Sequence, residues 1–484
     1  MKNYRKICYL LTQSPMKMLS SLLVLFLFNL AAVAQSKVAP SACAECIRKN
    51  MEFLASDELG GRGSGTEDEH KAAEYIGSQL KAYGIQPAGD GGGFIQEVVI
   101  LHRTLTGKPE LKILTQGTPP ASSQTFVYGK DFVTPYLSMV QFTGPIKKVE
   151  SGKPIQKLDR GTVLLISGND PEKGQEAAFA AYSAGAVAAL IATSSKEEDF
   201  APAAGKLPKL PPRLEGPGSS EMGGTFAVLQ LGREMSQAML ALPDGAQVQF
   251  NASASEERGH TWNALGILRG TDPALQHAAV LFSAHLDHLG VGRPVNGDST
   301  YNGADDDASG TTAVLEIARV LGAGTKPRRT VVFALFGSEE VGGLGSTYFR
   351  EHPPIPLNEI AANLEFEMIG RPDPAVKADT VWLSGWERSN LGSILAEHGA
   401  HLVGDPHPEQ DFFARSDNYV LAKKGVVAQT ISSYGLHKEY HRPSDDLAHI
   451  DFQHMDEAIG SLLGPIEWLV NSDFRPQWNK GGQP

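Results

Sequence analysis

Five side chains of metal-binding type recur along the second half of this chain, each beside the end of an apolar run. They are His285 in SAHLDHLG, Asp306 in GADDDASG, Glu340 in GSEEVGG, Glu367 in LEFEMIG and His441 in EYHRPSDD. Imidazole and carboxylate are ordinary ligands of a divalent ion such as zinc. Two histidines and three carboxylates suit two such ions that share one bridging carboxylate.

Each motif divides its work between neighbouring residues. His285 and Asp287 lie two apart at a predicted strand end, so an extended backbone aims both the same way. One can bind metal while the other orients a ligand. Asp305, Asp306 and Asp307 repel one another just before a predicted helix, and a bound cation relieves that repulsion. An acidic turn capping the helix is the plainer alternative. Glu339 and Glu340 follow the apolar run TVVFALF. One can hold metal while the other carries a proton from water to a leaving group. Of Glu365 and Glu367 at the end of the next predicted strand, one is expected to face the site and the other an interior or solvated position. His441 precedes Pro443 in a turn-rich stretch and completes the set.

The elements that must position these groups follow a strand, loop, helix rhythm from residue 262 onward. Strands are predicted at 279–284, 330–336, 362–367, 381–384 and 426–431. Helices are predicted at 309–321, 389–398, 417–424 and 455–470. Near-continuous apolar strands alternating with helices imply an α/β fold, a mostly parallel mixed sheet with helices on both faces. Such sheets carry their sites beyond the strand C-termini, where the five ligands fall. Upstream, 43–57 and 66–84 read as helices joined by LGGRGSGT. That segment lacks the ending of a phosphate loop and reads as a plain connection. Between 127 and 256 the composition shifts. The strand GTVLLIS, the helix 176–184, the strand AVAALIAT and a Pro-rich stretch at 201–217 carry no cluster of titratable groups. This piece reads as a separate α/β domain inserted into a discontinuous catalytic domain, 43–126 with 257–484.

At 484 residues, two domains are the natural expectation. A net charge of -12 and a pI near 5.6 argue against a nucleic-acid partner. At the N-terminus, Lys2, Arg5, Lys6 and Lys17 precede the apolar run 19–30 and Ala32-Val33-Ala34. This is the layout of a signal peptide over 1–34, implying a secreted or periplasmic protein with no membrane span after its removal. A single anchor is the alternative, and Met16 or Met18 an alternative start. Cys8 lies in that leader. Cys43 and Cys46 read as a local disulfide or two free thiols, with no catalytic role. No G-x-S-x-G elbow, H-E-x-x-H helix or strand-borne G-x-G-x-x-G occurs, which argues against serine hydrolases, single-zinc proteases of that type and nicotinamide enzymes.

The ordered set H-x-D, G-A-D-D-D-A-S-G, S-E-E, E-M-I-G-R and Y-H-R-P-S-D-D resembles the co-catalytic di-zinc aminopeptidase family, related to bacterial leucyl aminopeptidase, aminopeptidase Y and glutamate carboxypeptidase II. LASDELGGRGSGT looks like that family's opening, and 127–256 is similar to its inserted protease-associated domain. TWNALGILRGTDP looks like the return from that insert. The resemblance implies a secreted exopeptidase that removes N-terminal amino acids from peptides, using two zinc ions, with manganese or cobalt as alternatives. It implies His285 and Glu367 on one ion, Glu340 and His441 on the other, and Asp306 bridging. A hydroxide shared by the ions would attack the peptide. Glu339 would be the general base, Asp287 the acid behind His285, and Tyr440 a polariser of the scissile carbonyl. The resemblance also implies a cis peptide between Asp306 and Asp307. Two positions depart from the family pattern: Glu367 stands where most members have Asp, and Ser416-Asp417-Asn418 replaces S-D-H. A carboxypeptidase or dipeptidase of the same fold would need a cation for a carboxylate, and Arg371 and Arg415 are available. A glutaminyl cyclase would use one metal, and a non-catalytic relative would have lost ligands.

Overall fold

The apolar strands of the second half assemble into one twisted sheet that carries every metal-type motif at one edge. The structure, a computed structural model, describes residues 41–114, 124–168, 171–216 and 225–484. The leader expected at 1–34 lies outside the described residues. The sheet contains β1 (Gln86–Pro87), β2 (Ile95–Leu105), β3 (Arg213–Leu214), β4 (Ala254–Leu268), β5 (Ala279–His285), β6 (Val331–Phe336), β7 (Ile360–Phe366), β8 (Val381–Leu383), β9 (Leu402–Gly404) and β10 (Val427–Ser432). Their order is β9-β8-β10-β7-β5-β6-β4-β2-β3, with β1 paired to β4. The expected parallel centre is β10-β7-β5-β6. Antiparallel strands extend it, β8 on one side and β4, β2 and β3 on the other.

Burial of the central strands on both faces explains their unbroken apolar sequence. Every residue of β5, β6 and β10 is buried. Val280, Phe282 and Ala284 pack under α1 (Ala44–Leu54), α2 (Glu67–Ala82), α3 (Gly310–Ala323) and α4 (Phe452–Asn471). Ala279 and Leu281 alternate to the other face, with Phe349 and Val420 from two short helices. The helices expected at 309–321 and 455–470 are thus α3 and α4, each a little longer than its pattern. Cys43 and Cys46 form a disulfide at the start of α1. Among the described residues no helix is long and apolar enough to cross a membrane.

β2 and β4 pair antiparallel over their length, Leu105 opposite Ala254 and Ile95 opposite Ala264. Between them the chain builds a second, eight-stranded sheet from strands lying between Glu110 and Asn251. Its core contains Phe132, Leu165, Leu190, Leu229 and Phe250, a cluster distinct from that under α1–α4. The expected strand-helix-strand piece is Val163–Ser167, Pro171–Ser183 and Ala188–Ala192, with the two strands parallel.

Candidate metal centre

Four adjacent parallel strands deliver the candidate ligands to one crevice. His285 is the last residue of β5, Glu367 directly follows β7, and Gly337-Ser338 carry the chain from β6 to Glu339 and Glu340. Asp306 comes from the loop before α3, and His441 from the loop after β10. Asp306 sits at the centre. His285 Nε2 lies 3.1 Å from its Oδ1, and His441 Nε2 lies 3.3 Å from its Oδ2. His441 Nε2 also lies 3.2 Å from Glu340 Oε2. His285, Asp306 and Glu367 offer donor atoms within 4.8 Å of one another, and so do His288, Asp306 and Glu340. Two donor sets therefore meet on the two oxygens of one carboxylate.

The flanking acids of the aspartate run do different work. Asp307 accepts hydrogen bonds from the backbone N–H of Gly310 and Met368 at 3.0 Å and of His285 at 3.3 Å, tying α3 to the ends of β5 and β7. Asp305 accepts from Gly370 N at 2.7 Å and meets His437 Nε2 at 2.9 Å. Asp445 holds the run itself, its two oxygens accepting from the N–H of Asp305 and Asp306 at 2.9 and 3.0 Å. Asp306 alone of the three lines the crevice, and the Asp306–Asp307 peptide is cis.

Asp287 fixes the Glu339-Glu340 turn. Its carboxylate accepts from the N–H of Glu339 at 2.9 Å and of Glu340 at 3.4 Å, and from Ser64 Oγ at 2.5 Å. His285 Nδ1 lies 3.2 Å from the Asp287 carbonyl oxygen and 3.7 Å from its carboxylate. Glu69, buried in α2, accepts from Ser338 N at 2.8 Å and Thr261 Oγ1 at 2.7 Å, and so anchors the same turn from below. Glu365, unlike Glu367, does not line the crevice. It is buried and accepts from Asn418 N at 2.6 Å and Thr430 Oγ1 at 3.1 Å. The Asn418 amide donates to the carbonyls of Phe413 and Ala428, so this departure from S-D-H is a backbone brace.

The electrostatics separate the two acids of the turn. Burial raises the Glu339 carboxyl well above its ordinary range, and Asp417, Glu340 and Glu367 reinforce this against the pull of His285. Burial pushes Glu340 the same way, as does Asp306, but His288 and His441 draw it down to about 2. Burial opposes charge on His441, yet Asp306 and Glu340 hold it up to about 10. The Tyr440 ring stacks on His441 at 3.8 Å between centroids, and burial raises its phenol. The crevice continues between Met368, Trp382, Phe412 and Tyr434, with Arg415 at its side.

Zinc fits these residues by their chemistry. His285 Nε2 and Glu340 Oε1 are buried with no hydrogen-bond partner, as are both ring nitrogens of His288. Buried polar atoms in proteins are almost always satisfied, so unpaired donors converging on a shared carboxylate mark a place for a cation. The eight residues expected to bind metal or act in catalysis come together here, with His285 and Asp287 buried behind the crevice lining. Three further residues were not singled out in the sequence. His288 was hidden in the same H-L-D-H motif, and Asp445 closed the motif containing His441. Arg62 stood in the segment read as a plain connection, its only signal a lone cation among glycines. Its guanidinium donates to the carbonyls of Leu286 at 2.9 Å, Asn302 at 2.6 Å and Gly303 at 2.9 Å, and to Leu54.

Comparison with known proteins shows what the segment carrying this site is similar to. Residues 263–463, which carry all five candidate ligands, match the family model of Peptidase family M28. The resemblance read from the motifs is borne out: over this segment the chain has the M28 peptidase pattern. The rat aminopeptidase NAALADL1 is 37% identical over 114 residues, covering 22% of this chain and 14% of that protein. Leucine aminopeptidase 2 of Trichophyton rubrum is 26% identical over 239 residues, covering 44% of this chain and 46% of that protein. The chain thus spans less than half the length of these curated relatives. Among solved structures, the aminopeptidase from Aneurinibacillus sp. strain AM-1 is similar in fold, with a TM-score of 0.51, 20% identity, 89% of this chain covered and 94% of that one.

Proposed function

We propose that the protein is an exported di-zinc exopeptidase that removes amino acids from the N-termini of peptides. The observation that carries this reading is the pair of donor sets sharing Asp306, with Glu339 beside them on the same turn. His285 and Glu367 would hold one ion, Glu340 and His441 the other, with Asp306 on both. When bound, the ions supply Lewis-acid chemistry, polarising the carbonyl and acidifying the attacking water. Glu339 takes the water's proton and returns it to the leaving amine. Its raised affinity for a proton suits that exchange. Asp287 keeps the turn aimed by holding its N–H groups, and the Tyr440 hydroxyl donates toward the carbonyl oxygen. Manganese or cobalt could replace zinc at such ligands. The Cys43–Cys46 disulfide supports an oxidising compartment, in keeping with removal of residues 1–34 as a signal. The β2–β4 pair brackets the eight-stranded sheet, which supports a protease-associated insert; its strands run from Glu110 to Asn251, so the insert begins before the boundary read at 127 and the catalytic domain read as 43–126 with 257–484 resumes with β4 at Ala254.

The decisive variant is Glu339→Gln. It should keep its zinc while losing roughly 10²–10⁴-fold in kcat on aminoacyl chromogenic substrates. Turnover within a few-fold of the unmodified protein would remove Glu339 from the proton-carrying role. Arg415 favours one second reading, a dipeptidase or carboxypeptidase. Arg371 is paired with Glu439 at 3.0 Å, whereas Arg415 lines the crevice, its guanidinium 5.0 Å over the Phe412 ring. Dipeptides with free and amidated C-termini separate the two readings. Selective cleavage of the free acids, lost in Arg415→Gln, favours the second. Equal cleavage of both favours the aminopeptidase.

A further inference from the structure

We infer that His288 is itself a metal ligand, through Nδ1, on the ion held by Asp306, Glu340 and His441. The inference rests on the di-metal reading above and adds a residue outside that ligand set.

The position of His288 is fixed by its surroundings. Its backbone N–H donates to the Arg62 carbonyl at 3.0 Å, and the residue is fully buried. Gly303 passes so close that a Cβ there would meet the imidazole Cγ at 2.4 Å, so the ring is confined against the Asp306 loop. In that place Nδ1 lies 2.7 Å from Glu340 Oε1 and 3.8 Å from Asp306 Oδ2. The ring stands edge-on to His441, with 5.6 Å between centroids.

Two plainer roles do not account for this. A histidine that merely fills the core has its ring nitrogens hydrogen-bonded, yet neither nitrogen of His288 has a partner. A histidine that orients a ligating carboxylate donates an N–H to it. Nδ1 and Glu340 Oε1 are near enough for that, but their directions do not make the bond, and Oε1 is unpartnered too. Nδ1 and Oε1, 2.7 Å apart with no hydrogen bond to satisfy either, face a common point beside a second carboxylate oxygen.

The consequence is an unequal pair of sites. His285, Asp306 and Glu367 give one imidazole and two carboxylates. His288, His441, Asp306 and Glu340 give two of each. Imidazole suits zinc, whereas carboxylates also suit manganese. The His288 site should therefore retain zinc when the other exchanges it for manganese.

X-ray absorption on the zinc-loaded, unmodified protein tests this without a variant. Imidazole scattering should correspond to three histidines per two zinc ions, and to two in His288→Ala. Under dialysis at limiting free zinc, His288→Ala and His288→Gln should hold one ion where the unmodified protein holds two. His288→Gln, which keeps most of the buried volume, should melt in chelator within a few degrees of the unmodified protein, separating ligand loss from misfolding. Two zinc ions with only two histidines bound would overturn the assignment of His288 and leave the di-metal reading standing. No bound zinc in the unmodified protein, under conditions where it remains folded, would overturn both.

Discussion

Arg62→Met removes one guanidinium and should loosen the whole floor of the site. Arg62 is 1% exposed and donates to four backbone carbonyls from three separate segments. Leu54 ends α1, Leu286 follows β5, and Asn302 and Gly303 lead into the aspartate run. Methionine keeps an unbranched stem of similar length and offers no donor. Each buried carbonyl left unpaired costs about 1–3 kcal/mol. Against that stands the cost of burying the cation, which draws the Arg62 pKa down, opposed by Asp287, Asp307, Asp445 and Asp306. Removing one partner from such a buried charged network leaves a net loss of about 3–5 kcal/mol. For a unit of this size, at about 2 °C per kcal/mol, the melting temperature should fall by roughly 6–10 °C. Arg62→Lys should fall between, since three ammonium donors cannot reach four carbonyls. The assay is thermal unfolding with zinc and with chelator. A midpoint for Arg62→Met within about 2 °C of the unmodified protein in both would refute the clamp.

Two further outcomes follow from the same surroundings. Gly61 has φ +70°, and a Cβ there would meet the Tyr301 carbonyl oxygen at 2.2 Å, whereas Gly84, at φ +78°, has nothing within 4 Å. Gly61→Ala should therefore melt well below Gly84→Ala, which loses only the left-handed preference worth about 1 kcal/mol; equal melting would exclude the clash. Asp417 is fully buried, and burial, with Asp287 and Glu367 nearby, pushes its carboxyl from 3.8 to about 7 despite the Ser346 hydroxyl and His285. The folded state thus binds the proton more tightly than the unfolded chain, so the zinc-free protein should lose stability as pH rises from about 4 through 7. Asp417→Asn should flatten that slope in melting curves taken in chelator, and an unchanged slope would assign the dependence elsewhere.

The sequence was most legible where one residue type did one job. The strands ending at His285, Phe336 and Phe366 could be read because burial on both faces demands unbroken apolar runs. The acids placed just beyond those runs marked themselves as unusual. The aspartate run was legible as a candidate cation site, but not in its division of labour. Asp305 and Asp307 bind backbone N–H groups of Gly370 and Met368, residues more than sixty positions away. His288 and Arg62 escaped for the same reason. A histidine three residues from another carries no sign of which carboxylate will face it, and a lone arginine among glycines reads as a solvated turn. Its carbonyl partners at Asn302 and Gly303 lie some 240 positions away.

The sequence by itself determined the donor inventory, the class of sheet and the edge at which the donors emerge, because periodicity and residue chemistry are local properties. Only the tertiary structure decided who meets whom. Chain order runs β5, β6, β7, β10, while spatial order runs β10-β7-β5-β6. That reordering sets Glu367 and His285 on adjacent strand ends, brings the β6 turn to the other side and leaves Asp306 between them. Which oxygen faces which imidazole, and which histidines are left unpaired, depends on distances that no spacing along the chain encodes.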